Sequence, residues 1–134
     1  MTLEELQKLA EEAAIKGGEE IIEVYNTDDF QIEQKEDESP LTIADRRAHL
    51  AIMSVLISTE IPILSEEGKS ISYDERKDWD RLWIVDPLDG TKEFIKRNGE
   101  FTVNIALIEN GAPVLGVIYV PVKDQLYSGI VGQG

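Results

Sequence analysis

The sequence contains no cysteine and only one histidine, His49. Without cysteine the chain can form neither a disulfide framework nor a thiolate metal site, and this composition is compatible with a reducing compartment. We interpret His49, which lies alone on a predicted helix, as a surface or packing residue rather than a metal ligand. Disulfide-stapled folds and thiolate-bound metals are therefore excluded.

Long apolar runs are also absent. No stretch approaches the roughly 18 residues that a membrane-spanning helix needs. The acidic start, Met1–Glu5, lacks the basic region and apolar core of a signal peptide. The 134 residues, 42% hydrophobic and 30% charged, suffice for one globular domain with a core. We expect a cytoplasmic protein without a transmembrane segment, and peripheral attachment to the inner membrane is left open.

Positive charge is scarce: the sequence has 13 basic and 27 acidic residues, and its formal net charge is -14. This balance argues against nucleic-acid binding, which requires a basic footprint. An anionic substrate would be repelled unless bound cations reversed the local sign. A metal must therefore be part of any hypothesis that involves phosphate.

Two helices are predicted in the first half of the chain. Thr2–Glu5 has the form of a capping box, and apolar residues then recur at helical spacing, which predicts a helix from Leu3 to Tyr25. We interpret Gly17-Gly18 within it as a site of close packing. Thr42 is expected to cap a second helix, with Asp45 in its first turn, that ends near Thr59.

The remaining segments predict strands. The Asn110-Gly111 pair between apolar runs is a strong hairpin signal. Two helices followed by a meander indicate an α+β fold, with the helices packed on a largely antiparallel sheet that has an uncovered edge or face. The predicted strands are Phe30–Gln34, Ile61–Leu64, Arg81–Val85, Phe101–Ile108, Val114–Val122 and Gln125–Val131.

Two of these apolar runs lead into acidic turns. Ile61–Leu64 is followed by Ser65–Gly68, and Trp83–Val85 is followed by Asp86–Thr91. Strands that end in carboxylates can direct them at one point. The second turn, taken alone, favours an ordinary turn over a functional site. The combination of the two predicts a divalent-metal site for phosphate ester chemistry.

The residue types of the two turns suit Mg²⁺. Glu66, Asp86 and Asp89 are hard oxygen donors, and the Leu88 carbonyl can converge with the two aspartates. If a helix begins at Thr91, the amides of residues 90 and 91 form a phosphate seat.

Proton transfer needs further groups near that seat. The Thr91 hydroxyl can orient a water, and Glu66 or Asp45 can accept its proton.

The signature Asp86–Thr91 resembles that of the inositol monophosphatase superfamily of Mg²⁺-dependent, lithium-sensitive phosphatases. The continuation Lys92–Asn104 is similar to the CysQ-type 3'(2'),5'-bisphosphate nucleotidases, which act in sulfur metabolism. Ile63–Glu67 and Pro40–Asp45 match in order and spacing. The resemblance covers essentially the whole chain and implies the N-terminal half of a sugar-phosphatase fold.

The resemblance also implies a set of roles. Glu66, Asp86 and the Leu88 carbonyl would hold one metal, and Asp86 with Asp89 would hold another, with two or three Mg²⁺ ions in a complete site. Phosphate contacts would come from residues 88–91 together with Glu66. Thr91 would activate the attacking water with Asp45 and Glu66. The implied reaction is hydrolysis of 3'-phosphoadenosine 5'-phosphate to AMP and phosphate.

Family members run to about twice this length, and the resemblance implies that residues 1–134 form the N-terminal metal- and phosphate-binding domain. The absent C-terminal domain would add another metal-binding aspartate and most of the nucleoside pocket. We expect weak or no activity from the isolated chain. The alternatives are an inositol monophosphate or sugar bisphosphate phosphatase, and a metal-binding domain without turnover. An uncovered sheet would favour a homo-oligomer.

Overall fold

The structure is a computed structural model that describes residues 2–26, 40–65, 80–90 and 100–132. Several predictions lie outside these ranges. They are the strand Phe30–Gln34, residues 66–68 of the first acidic turn, and the helix that would begin at Thr91.

Helix α1 is Leu3–Tyr25, with the bounds that the sequence predicted. The capping box is complete: the Thr2 amide donates to Oε1 of Glu5 at 2.8 Å, and the Glu5 amide donates to Oγ1 of Thr2 at 3.2 Å. Its buried side runs from Leu6 to Val24 at helical spacing. Local capping and periodicity are therefore sufficient to define this helix.

The glycine pair in α1 is a packing site, as predicted. A Cβ atom on Gly17 would lie 2.9 Å from Cγ1 of Ile52, and one on Gly18 would lie 2.5 Å from Cε2 of Tyr119. The first contact is with the second helix and the second is with the sheet. The two glycines therefore let α1 approach both neighbours closely.

Helix α2 is Pro40–Leu56, and a short 3₁₀ helix, Ile57–Thr59, follows it. Two predictions about its start are wrong. Thr42 is the third residue of the helix rather than its cap, and Asp45 lies beyond the first turn. The physical reason is Pro40, whose fixed φ and missing N–H suit the first position of a helix.

Within the described residues, five strands form one sheet, in which they lie side by side in the order of the sequence. The first two strands are parallel and the other three pairs are antiparallel, which confirms a largely antiparallel sheet. Asn110 and Gly111 have φ values of 52° and 83° and join the third strand to the fourth, as predicted. The strands are β1 Ile63–Ser65, β2 Arg81–Asp89, β3 Thr102–Glu109, β4 Ala112–Val120 and β5 Gln125–Ile130.

Both helices pack on the same face of the sheet, α1 against β3 to β5 and α2 against β1 and β2. Trp83 is fully buried there, and its indole N–H donates to Oγ1 of Thr59 at 3.1 Å. The largest buried side chains of this core are Leu6, Ile21, Ile52, Leu56, Trp83, Phe101, Ile105, Leu107 and Leu115.

The opposite face of the sheet is open within the described residues, as predicted. Ile84, Ile118 and Tyr127 are 42%, 46% and 57% exposed. They line a shallow groove of about 730 Å³, to which Asp86 and Asn104 also contribute. We call this surface the open face. None of the described helices combines the length and the apolar character needed to cross a bilayer.

Candidate metal and phosphate site

The acidic signature lies on a strand rather than in a turn. Strand β2 continues through Asp86 and ends at Asp89, so the predicted turn after Val85 is wrong. The physical reason is pairing with β3, which reaches as far as the pair Asp89–Thr102. Backbone pairing with a distant segment therefore overrides the local turn preference of Pro-x-Asp-Gly.

A bulge interrupts this pairing. Asp86 lies opposite Asn104 and Asp89 lies opposite Thr102, so β2 advances three residues while β3 advances two. Two consecutive residues of β2, Pro87 and Leu88, are accordingly buried. Proline suits this position because a bulge relieves it of donating to the ladder.

The bulge decides where the carboxylates point. In a regular strand, residues three apart face opposite sides of the sheet. With one residue inserted, Asp86 and Asp89 both share a face with Thr102 and Asn104, which is the open face. Strand register therefore places the two aspartates on a shared face, while their convergence on one metal ion stays a prediction.

Leu88 and Gly90 flank Asp89. The Leu88 side chain is only 3% exposed and belongs to the core, so only its main-chain groups can serve a ligand. Gly90 ends the strand with a φ of 95°, in the left-handed region that glycine tolerates best. The Leu88 carbonyl as a metal ligand, and Gly90 as a phosphate contact, stay predictions.

A hydrogen-bond chain supports Asp89. Nδ2 of Asn104 donates to Oδ2 of Asp89 at 3.1 Å, and Oγ1 of Thr102 donates to Oδ1 of Asn104 at 3.0 Å. Sequence reasoning did not assign a role to Thr102 or Asn104. The available signal was two polar residues in alternate positions of an otherwise apolar strand.

A second contact joins α2 to the end of β1. Nδ1 of His49 and Oγ of Ser65 share a hydrogen bond of 2.9 Å, and Ser65 is buried. Asp45 lies one helical turn before His49 and therefore on the same side of α2. Because β1 runs parallel to β2 and Ser65 pairs with Val85, β1 ends at the level where Asp86 begins the acidic signature.

The described residues bring together only part of the predicted site. Glu66 and Thr91 lie outside the described ranges, and their roles stay predictions. Within those ranges no group of three or more His, Cys, Asp or Glu side chains is placed to hold a metal ion. Asp86 and Asp89 nevertheless supply two carboxylates on one open face, and this hard-oxygen donor type fits Mg²⁺.

Comparison with known proteins identifies relatives of the whole chain. The model of the inositol monophosphatase family matches residues 2–134. A 3'(2'),5'-bisphosphate nucleotidase CysQ of Salmonella typhimurium is 49% identical over 134 residues, which cover 98% of this chain and 52% of that protein. The Escherichia coli K12 protein of the same name is 50% identical over 123 residues, 90% of this chain and 50% of that protein.

Solved structures agree. The crystal structure of CysQ from Bacteroides thetaiotaomicron is similar with a TM-score of 0.90 and 58% identity, covering 97% of this chain and 47% of that one. An inositol monophosphatase from Anabaena is similar with a TM-score of 0.79 and 30% identity, and the match covers 100% of this chain and 47% of that one. The chain thus spans about half the length of the relatives it matches. By its sequence and its fold, it belongs to the inositol monophosphatase family.

Proposed function

We propose that this protein is a Mg²⁺-dependent phosphatase that hydrolyses 3'-phosphoadenosine 5'-phosphate to AMP and phosphate. The observation that carries the proposal is the bulge in β2, which puts Asp86 and Asp89 on one face. The similarity to proteins named 3'(2'),5'-bisphosphate nucleotidase supports the substrate class.

Several residues of this chain would bind the metal ions of the site. Asp86, Asp89, Glu66 and the Leu88 carbonyl would hold two or three ions in a complete site. When bound, Mg²⁺ supplies Lewis acidity, which polarises a phosphoryl oxygen and lowers the pKa of a bound water. Asn104 keeps one oxygen of Asp89 occupied by an amide hydrogen.

Attack on the phosphate would use the other predicted groups. The Thr91 hydroxyl would orient the water, and Asp45 and Glu66 would accept its proton. The main-chain amides of residues 90 and 91 would bind the phosphate oxygens. The described part of the chain contributes Asp45, on the same side of α2 as the His49 that is bonded to the end of β1.

A second candidate within the same chemistry is an inositol monophosphate or sugar bisphosphate phosphatase. The similarity to the inositol monophosphatase of Anabaena favours it. Two carboxylates that bind metal ions at the phosphate do not select the alcohol that leaves.

A third candidate is a metal-binding domain without turnover. The observation that favours it is that this chain spans about half of its relatives. We propose that residues 1–134 form the metal- and phosphate-binding domain, and that full activity needs the equivalent of the relatives' second half. The isolated chain should then bind Mg²⁺ with weak or no hydrolysis.

The deciding experiment measures phosphate release by the full-length protein from 3'-phosphoadenosine 5'-phosphate, an inositol monophosphate and a sugar bisphosphate. Each substrate is tested with Mg²⁺, with a chelator and with added lithium. We expect the nucleotide to react fastest, only with Mg²⁺, and lithium to inhibit. Faster phosphate release from the inositol monophosphate or the sugar bisphosphate would show that this substrate class, and not the nucleotide, is the preferred one. Mg²⁺ binding by the 134-residue chain alone, measured by calorimetry, without release from any substrate would support the third candidate.

A further inference from the structure

We propose that Asn104 is a positioning residue that orients the Asp89 carboxylate for the metal ion. Its amide Nδ2 donates to Oδ2 of Asp89 at 3.1 Å, and in the strand pairing it lies directly opposite Asp86. One residue of β3 is therefore adjacent to both aspartates of the open face. This inference rests on the proposed function, since it assigns a role within the same metal site.

Thr102 holds the other end of the Asn104 amide. Oγ1 of Thr102 donates to Oδ1 of Asn104 at 3.0 Å, which occupies the acceptor end of the amide. Because an ionised carboxylate only accepts hydrogen bonds, Asp89 selects the donor end of the amide, and the threonine hydroxyl, which can donate or accept, satisfies the opposite end and holds it in place.

The charge of the donor also matters. Asn104 is neutral, so its hydrogen bond restrains Asp89 without cancelling the negative charge that attracts a cation. A lysine or arginine at this position would form an ion pair with Asp89 and compete with the metal. Partners of this kind fix the orientation of ligating carboxylates, and their loss weakens metal affinity by about 10- to 100-fold.

The backbone of Asn104 is held in place by the core. Its sequence neighbours Val103 and Ile105 are 0% and 2% exposed on the helix side of the sheet. Strand β3 is paired on both sides, with β2 and with β4. Asn104 is thus carried by a rigid element, which is what a precise ligand orientation requires.

The test uses two substitutions and a matched control in the full-length protein. Asn104→Leu keeps the approximate size of the side chain and removes the donor. Thr102→Val keeps the β-branched shape and removes the hydroxyl that holds the acceptor end of the amide in place. The control is Ile118→Val on β4. Ile118 is the cross-strand neighbour of Asn104, lies on the same open face and is 46% exposed.

Mg²⁺ affinity is measured by calorimetry without substrate, and the Mg²⁺ concentration for half-maximal phosphate release is measured separately. We expect Asn104→Leu to weaken Mg²⁺ binding by about tenfold and Thr102→Val by about threefold. The KM for the ester at saturating Mg²⁺ should stay at the wild-type value. Ile118→Val should match the wild type in all three quantities. A purely structural role would instead lower thermal stability and leave Mg²⁺ affinity unchanged.

Unchanged Mg²⁺ affinity in a folded Asn104→Leu protein would overturn this proposal. If Asp89→Asn loses Mg²⁺ affinity in the same experiment, the proposed function still stands. If the wild-type protein binds no Mg²⁺, the proposed function itself is overturned. If Asn104→Leu does not fold, Thr102→Val decides: wild-type affinity in that variant would count against the proposal, and weaker binding would support it.

Discussion

Nδ1 of His49 lies 2.9 Å from Oγ of Ser65, and this hydrogen bond joins the middle of α2 to the last residue of β1. Helix α2 carries Asp45 one turn earlier, and Glu66 follows Ser65 in the sequence. The contact therefore ties together the two segments that carry the predicted proton acceptors. The only histidine of the chain acts as a packing and hydrogen-bonding residue, in agreement with its interpretation from the sequence.

Removing this hydrogen bond should destabilise the protein measurably. We expect Ser65→Ala to lower the free energy of unfolding by about 1 kcal/mol, since a partly buried hydrogen bond is lost. A double-mutant cycle with His49→Leu, followed by urea denaturation, should give a coupling energy of about 1 kcal/mol. Ser54→Ala, at an exposed serine of the same helix, is the control and should change stability by less than about 0.5 kcal/mol. Additive effects would show that the contact contributes nothing.

The two aspartates of β2 should be required for metal binding and for rate. Asp86→Asn and Asp89→Asn keep the side-chain shape and remove the charge, so each should weaken Mg²⁺ binding and lower kcat by orders of magnitude in the full-length protein. Calorimetry and phosphate release measure the two effects, and circular dichroism checks the fold. Asp80→Asn, an exposed residue just before β2, is the matched control. Wild-type rates in either variant would refute the metal assignment.

The two glycines of α1 should respond differently to alanine. Replacing either glycine by alanine favours the helical conformation by about 1 kcal/mol. At residue 18 the new Cβ would lie 2.5 Å from the Tyr119 ring, which a hydrogen bond to Asp124 holds in place. At residue 17 it would meet the aliphatic end of Ile52 at 2.9 to 3.0 Å.

We expect Gly18→Ala to destabilise by about 1 to 3 kcal/mol, the usual range for overpacking, and Gly17→Ala to be clearly milder. Thermal or urea denaturation of the two variants measures the difference. The reverse order would show that Tyr119 moves more easily than Ile52.

Tyr119 should make stability fall at high pH. Burial and the 2.7 Å hydrogen bond to Oδ1 of Asp124 raise the pKa of Tyr119 from 10.0 to about 12. A raised pKa in the folded state means that the protonated phenol stabilises the fold fully below pH 10.0, and that this stabilisation is lost as pH rises towards about 12.

Tyr119→Phe should be less stable than the wild type by about 1 kcal/mol at neutral pH, and this difference should shrink between pH 10.0 and about 12. Urea denaturation across that range measures it. Tyr127→Phe, at a ring that is 57% exposed, is the control and should track the wild type. A difference that stays constant with pH would contradict the assignment.

Much of the fold could be predicted because its signals are local. The bounds of α1 follow from a capping box and apolar spacing within the helix itself, and the β3–β4 hairpin follows from Asn110-Gly111. The cap signal of Thr42 predicts a start of α2 three residues too late, whereas the helix begins at Pro40, whose fixed φ is an equally local signal for a helix start. Most strand ends lie within two residues of their predicted positions, but β2 ends four residues later than predicted, because pairing partners rather than propensity decide where a strand stops.

The sequence by itself determined which residues could bind a metal: the carboxylates of Asp86 and Asp89, the family signature around them, and the two strands that lead to acidic residues. Only the tertiary structure decided that both carboxylates face the same way, because their relative direction depends on how many residues β2 and β3 each advance between two cross-strand pairs. That count involves a partner strand distant in the chain, as does the contact from Asn104 to Asp89. The sequence specifies the residue types, whereas the direction of a side chain in a sheet depends on how the strands pair.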